Sequence, residues 1–194
     1  MTTHYQAIVI GVSSGGINAM KIIFSLLPKE FDTPIIIVQH VSPRSENVWI
    51  QLLNNKSNLH IKEADEKEKI ERGYVYIAPP NYHLLIEKDK TFSLTIDERV
   101  NYARPSIDVL FESAADAYNT SLIGVVLTGS NNDGAKGIKR IQDCGGLTII
   151  QNPDTAESAY MPASAIAAIR PDYILHLNEI VDLLIKITQI QPYK

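Results

Sequence analysis

The stretch Ala7-Ile8-Val9-Ile10-Gly11-Val12-Ser13-Ser14-Gly15-Gly16 constrains the fold more than any other part of the chain. Its apolar run is rich in β-branched side chains and predicts a short strand buried on both faces. A helical pattern follows from Ile17 to Leu27 and is closed by Pro28. The chain therefore opens with a strand, a tight turn and a helix, with Ser13 at the turn. Gly11-Val12-Ser13-Ser14-Gly15 fits Gly-x-Ser-x-Gly, the pattern that lifts a serine hydroxyl clear of a sheet edge. A sharp strand-to-helix turn crowds Cβ atoms and favours residues free to take positive φ. The helix N-terminus beside Ser13 offers unpaired N–H groups that stabilise developing negative charge. Two other readings compete. Gly11 and Gly16 fit the dinucleotide fingerprint Gly-x-Gly-x-x-Gly, although Ser13 stands at its middle glycine. A serine before a helix is also an ordinary N-cap.

Further along, Pro34-Ile35-Ile36-Ile37-Val38-Gln39 predicts a second buried strand ending at His40, and a helix from about Glu46 to Asn54 follows. A short strand near Leu59 to Ala64 precedes the charged run Asp65 to Arg72, which reads as a solvated loop. Tyr74 to Ala78 is a strand. His83 to Glu87 and Thr91 to Thr95, joined by Lys88-Asp89-Lys90, predict an antiparallel hairpin added to a parallel sheet. Pro105-Ser106 starts a helix to about Tyr118, with proline suited to its first turn. Leu122 to Leu127 is a buried strand that breaks into Thr128-Gly129-Ser130-Asn131-Asn132-Asp133-Gly134, and a helix runs on to Cys144. A strand at Leu147 to Gln151, a helix from Pro162 to near Arg170, a strand at Tyr173 to Leu175 and a helix from about Glu179 to Ile190 complete the pattern. Alternating strands and helices predict one α/β domain over 1–194, a doubly wound, mainly parallel sheet in a Rossmann-like three-layer arrangement.

In such a sheet, ligands and catalytic groups gather at the carboxyl ends of the strands. Ser13, His40 and Asp133 each follow a predicted strand, and together they supply a hydroxyl, an imidazole and a carboxylate. Serine needs a base to take its proton, and the base needs a carboxylate to hold its tautomer. The order Ser, His, Asp differs from the Ser, Asp, His order of common α/β hydrolases. Taken singly, His40 also reads as a plain loop residue and Asp133 as an N-cap. His4, His60, His83 and His176 are scattered without metal spacing, so no metal is expected. The net charge of −4 argues against nucleic acid, whose phosphates call for clustered Lys and Arg. Cys144 is the single cysteine, which excludes an internal disulfide, suits a reducing compartment and reads as a structural thiol. No run approaches eighteen apolar residues and no basic segment precedes an apolar one, so neither membrane insertion nor a signal peptide is expected, and a cytoplasmic location is.

Six blocks recur in order: Ile10-Gly11-Val12-Ser13-Ser14-Gly15-Gly16, Val38-Gln39-His40, Tyr76-Ile77-Ala78-Pro79, Arg104-Pro105-Ser106-Ile107-Asp108-Val109-Leu110-Phe111, Leu127-Thr128-Gly129 with Asn132-Asp133-Gly134-Ala135, and Met161-Pro162. They resemble the catalytic domain of the bacterial chemotaxis receptor methylesterases, the CheB family, over nearly the whole chain. The resemblance implies hydrolysis of γ-glutamyl methyl esters on the cytoplasmic helices of methylated chemoreceptors, releasing methanol. Many family members also deamidate receptor glutamines. It assigns Ser13 as nucleophile, His40 as general base and Asp133 as the orienting acid, and it implies no cofactor. Ser14 falls where the family usually has Thr and keeps the hydroxyl. Ser130 falls at a Met whose backbone N–H serves the oxyanion hole. Asn131 replaces a glycine, a place where Asn tolerates left-handed geometry, and Ala103 replaces a histidine. Family members usually carry an N-terminal receiver domain, and 194 residues leave no room for one. Regulation is then expected to be absent or to come from a separate regulatory protein. Two other functions stay open, a non-catalytic phosphate- or nucleotide-binding module and a general esterase of small esters.

Overall fold

The computed structural model describes residues 4–40 and 48–188. Its elements, in chain order, are β1 (Ala7–Val12), α1 (Gly16–Leu26), β2 (Ile35–Gln39), α2 (Val48–Asn54), β3 (His60–Glu63), β4 (Tyr74–Ile77), β5 (His83–Ile86), β6 (Phe92–Thr95), α3 (Ile107–Tyr118), β7 (Leu122–Val126), α4 (Ala135–Asp143), β8 (Leu147–Gln151), α5 (Tyr160–Ala168), β9 (Tyr173–Leu175) and α6 (Leu177–Thr188). The expected start of α2 near Glu46 and the end of the last helix at Ile190 lie outside the described residues.

Seven strands form one sheet in the order β3-β4-β2-β1-β7-β8-β9, and every pairing is parallel. β1, β2 and β7 are buried along their whole length, as continuous apolar runs require when helices cover both faces. Side chains alternate between two cores. Ile8, Ile10 and Val12 join α1, α2 and α6 on one face, while Ala7 and Val9 join α3, α4 and α5 on the other. Helix α1 places Ala19, Met20, Ile23 and Phe24 on one stripe at helical spacing, all buried. Burying each of the three large side chains stabilises the layer by about 1.5–3 kcal/mol. The helix stops at Leu27, whose backbone is extended at ψ 131° because the next residue is Pro28.

β5 and β6 form the expected antiparallel hairpin, with His83 opposite Thr95 and Ile86 opposite Phe92. The hairpin is a separate two-stranded sheet and does not extend the parallel one. Its apolar face, Leu84, Ile86 and Phe92, packs into the α3 core, and Ser113 Oγ accepts from Ile86 N–H at 3.1 Å. Side-chain burial against a helix thus decides where the hairpin sits.

The sheet is wound outward in both directions from the β1–β7 neighbour pair. β2 leads off on one side, and β8 and β9 on the other. The strand order reverses there, which opens a crevice at the carboxyl ends of β1, β2 and β7. Among the described residues no helix is long and apolar enough to cross a membrane.

Candidate active site

The three strand ends converge through their backbones. Ser13 N–H donates to Thr128 C=O at 3.0 Å, His40 N–H to Val12 C=O at 3.1 Å, and Leu127 N–H to Gly11 C=O at 3.0 Å. Gln39 adds a side-chain clamp, donating from Nε2 to the carbonyls of Ser13 (3.0 Å) and His40 (2.8 Å). This buried amide holds the backbone under the serine and the histidine together.

The turn after β1 needs its glycine. Gly15 has φ 80° and is the N-cap of α1, and no side chain caps that helix. Neither Ser13 nor Ser14 is therefore a capping serine. Ser14 Oγ instead shares a hydrogen bond with Ser130 Oγ at 2.8 Å, which brings the turn after β1 against the loop after β7. Ser13 is nearly buried and lines a cleft of about 370 Å³ with Gly15, Gly16, Ile17, Asn18, Gln39, His40 and Glu157.

Asp133 is fully buried and accepts five hydrogen bonds. They come from His40 Nε2 (2.9 Å), Ser106 Oγ (2.8 Å), Asn101 Nδ2 (3.0 Å), and the backbone N–H groups of Ile107 (2.7 Å) and Asp108 (3.2 Å). The last two are the first residues of α3. The carboxylate thus does not cap the helix that follows it, whose N-cap is Gly134, but the N-terminus of a different helix. Asp108 returns the arrangement, its Oδ1 accepting from Gly134 N–H (2.9 Å) and Gly137 N–H (2.7 Å) at the start of α4. Asn101 Nδ2 reaches both carboxylates, at 2.8 Å from Asp108 Oδ2.

Burial pushes the Asp133 carboxyl up, but the hydrogen bonds from His40, Asn101 and Ile107 N–H outweigh it and hold it below the usual carboxylate value. Asp108 goes the other way. Burial raises it and the Asp133 charge adds to that, against the lowering effect of Gly137 N–H, Asn101 and Gly134 N–H. The carboxylate facing His40 is therefore the one whose charged form the site favours more strongly.

The hydrogen bonds also fix the histidine tautomer. Asn131 Oδ1 accepts from Asp133 N–H at 3.0 Å, which turns Asn131 Nδ2 toward His40 Nδ1, also at 3.0 Å. An amide nitrogen only donates, so Nδ1 carries the lone pair and Nε2 carries the proton given to Asp133. Ser13 Oγ makes no hydrogen bond to His40 among the described residues. The structure thus joins His40 to Asp133, and places Ser13 on the same cleft without that last link.

Ser13, His40 and Asp133 gather at one crevice, as expected from their strand ends, and Ser14 and Ser130 meet beside them. Asn131 does not use the left-handed backbone that its place suggested. Among the described residues the positive-φ non-glycine positions are Lys67, Asn81, Lys90, Asn101, Tyr102 and Asn119. Gln39, Asn101, Ser106 and Asp108 complete the site, and the strand-end pattern does not mark them. Ser106 and Asp108 had a signal in the Arg-Pro-Ser-Ile-Asp block, and Asn101 had none within its polar loop.

A doubly wound parallel sheet with a hydroxyl, an imidazole and a buried carboxylate at its switch point defines the architecture. The family model described as CheB methylesterase matches residues 8–184, and the chain belongs to that family. It is 59% identical over 186 residues to a Leptospira interrogans protein provisionally named a protein-glutamate methylesterase/protein-glutamine glutaminase, covering 96% of each chain. A Thermotoga maritima protein-glutamate methylesterase/protein-glutamine glutaminase is 35% identical over 185 residues, covering 94% of this chain and 54% of that protein. The crystal structure of the Thermotoga maritima CheB methylesterase catalytic domain superposes with a TM-score of 0.89 at 35% identity, over 94% of this chain and 98% of that one.

Proposed function

We propose that this chain is a serine-dependent protein-glutamate methylesterase acting on methylated chemoreceptors in the cytoplasm, and that it also deamidates receptor glutamines. The observation that carries the reading is the buried Asp133 bonded to His40, with Ser13 on the same cleft. Ser13 Oγ attacks the ester carbonyl of a methylated glutamate. His40 takes the hydroxyl proton at Nδ1, the nitrogen not committed to Asp133, and returns it to the departing methanol. Asp133 keeps Nε2 protonated and stabilises the imidazolium. The backbone N–H groups of Ser14 and Ser130 donate no hydrogen bond among the described residues, which leaves them free to hold the oxyanion. Water then hydrolyses the acyl-enzyme with His40 again as base, freeing the glutamate side chain. For a glutamine substrate the leaving group is ammonia. Nothing in this sequence of steps calls for a cofactor.

The phosphate-binding alternative fits less well. Glu157 lies over the N-terminus of α1, and its Oε2 accepts from Asn18 Nδ2 at 3.2 Å. A carboxylate standing where a phosphate would approach repels it. The domain works as one catalytic unit over residues 1–194, and a separate regulatory protein is the expected route of control. Methanol release from membranes carrying methylated receptor tests the reading. Wild type should release it, and Ser13→Ala, shown folded, should fall by about four to six orders of magnitude. Release by the Ser13→Ala protein at the wild-type rate would refute Ser13 as nucleophile. Hydrolysis of a chromogenic ester without methanol release would favour the general esterase.

A further inference from the structure

Asn131 stands in the loop after β7, two residues before the buried Asp133. Its two side-chain contacts have a consequence for the base. Asn131 Oδ1 is anchored to Asp133 N–H, so the amide cannot turn its oxygen to the ring without losing that bond. Nδ2 then donates to His40 Nδ1. A ring nitrogen has a single in-plane lone pair and accepts one strong hydrogen bond along it. Ser13 can pass its proton only to that same nitrogen, because Nε2 already carries a proton and gives it to Asp133. Asn131 and Ser13 therefore compete for one lone pair, and in this structure Asn131 holds it.

We propose that Asn131 is a positioning residue that guards the general base: its amide fixes the Nε2–H tautomer of His40 and covers Nδ1, and Ser13 is activated only when Asn131 releases that nitrogen. This rests on the reading of Ser13 as nucleophile and His40 as base. Asn131 is partly exposed, and a tilt of its amide about the Oδ1 anchor takes Nδ2 off the ring nitrogen without breaking the bond to Asp133 N–H. The guard consists of one neutral hydrogen bond. Removing such a bond should raise the reactivity of Ser13 about 2- to 10-fold.

The test uses a small fluorophosphonate, which needs no receptor to dock. Wild type, Asn131→Gly, Ser13→Ala and the double variant are labelled side by side, with folding checked by circular dichroism. Asn131→Gly should label about 2- to 10-fold faster than wild type, and both Ser13→Ala proteins should not label. Ser13-dependent labelling that is unchanged or slower in Asn131→Gly overturns the guard and leaves the serine-hydrolase reading standing. Absence of labelling in every protein counts against that reading instead. The guard is then decided by nitrogen-15 resonances of His40 at alkaline pH. Wild type should show Nε2 protonated and Nδ1 bare but hydrogen-bonded, and Asn131→Gly should move the Nδ1 resonance alone. A protonated Nδ1 in wild type, or an Nδ1 resonance that does not move, overturns it.

Discussion

Asp133→Ala separates two roles that a triad assignment merges. The substitution removes the acceptor of five hydrogen bonds at once. Two of the donors are the first N–H groups of α3, and loss of a helix cap costs about 0.5–2 kcal/mol. The Ser106 hydroxyl is fully buried and would be left without its partner, at about 1–3 kcal/mol. The loss is offset in part, because a buried charge and its repulsion of Asp108 also disappear. Together these leave a net cost of about 1–4 kcal/mol. For a chain of this size that lowers the melting temperature by about 2–16 °C. Ser13→Ala should cost less than about 0.5 kcal/mol, since the serine hydroxyl holds nothing in place. Guanidinium unfolding of both variants measures the difference, with methanol release measured in parallel. Both variants should lose activity, and only Asp133→Ala should lose stability. Unfolding midpoints that agree between the two would refute the argument that Asp133 holds α3 in place.

The pH dependence of stability should carry the two carboxylates with opposite signs. Asp133 is held below its unfolded value of about 3.9, so its contribution is complete above about pH 4 and is lost as pH falls through the lower folded value. Asp108 is raised, so its contribution is complete below about pH 4 and is lost as pH rises through the higher folded value. Denaturant midpoints measured from pH 6 to pH 2 should therefore show a flatter acid limb in Asp133→Asn than in wild type, and equal limbs would refute the assignment. Gly11→Ala should destabilise the fold by about 1–3 kcal/mol. Its new Cβ would lie 2.3 Å from Ile107 Cγ2, pressing the start of α3 away from β1 and from Asp133. A thermal melt identical to wild type would show that Ile107 gives way freely.

Much of the fold was legible because its signals are local. β1, β2 and β7 are continuous apolar runs, and each ends where the residue type changes abruptly, to Ser13, His40 and Thr128. A strand buried on both faces has to read that way, whatever it packs against. Parallel strands joined through helices then bring their carboxyl ends to one edge, so the candidate nucleophile, base and acid could be placed together before any contact was known. The hairpin was legible as two strands and a turn, but its sheet partner was not. The partner depends on which core takes up Leu84, Ile86 and Phe92.

The amino-acid sequence by itself determined the alternation of strands and helices, the serine turn with Gly15 at positive φ, and the three strand ends that carry Ser13, His40 and Asp133. The tertiary structure alone decided what those groups are bonded to. Asp133 precedes α4, and from its neighbours it reads as the cap of that helix. It caps α3 instead, because the close approach of Ile107 to Gly11 lays the α3 N-terminus across its carboxylate. Asn101 is an unremarkable loop residue until that same packing sets it between two buried carboxylates. Asn131 was visible as an unusual residue, but its hold on His40 Nδ1 follows from a loop after β7 closing over the end of β2. A hydrogen bond goes to whichever group the packed chain brings within 3 Å. For Asp133 with Ile107, and for His40 with Asn131, that choice is made between residues 26 and 91 apart in the chain, beyond the reach of any local pattern.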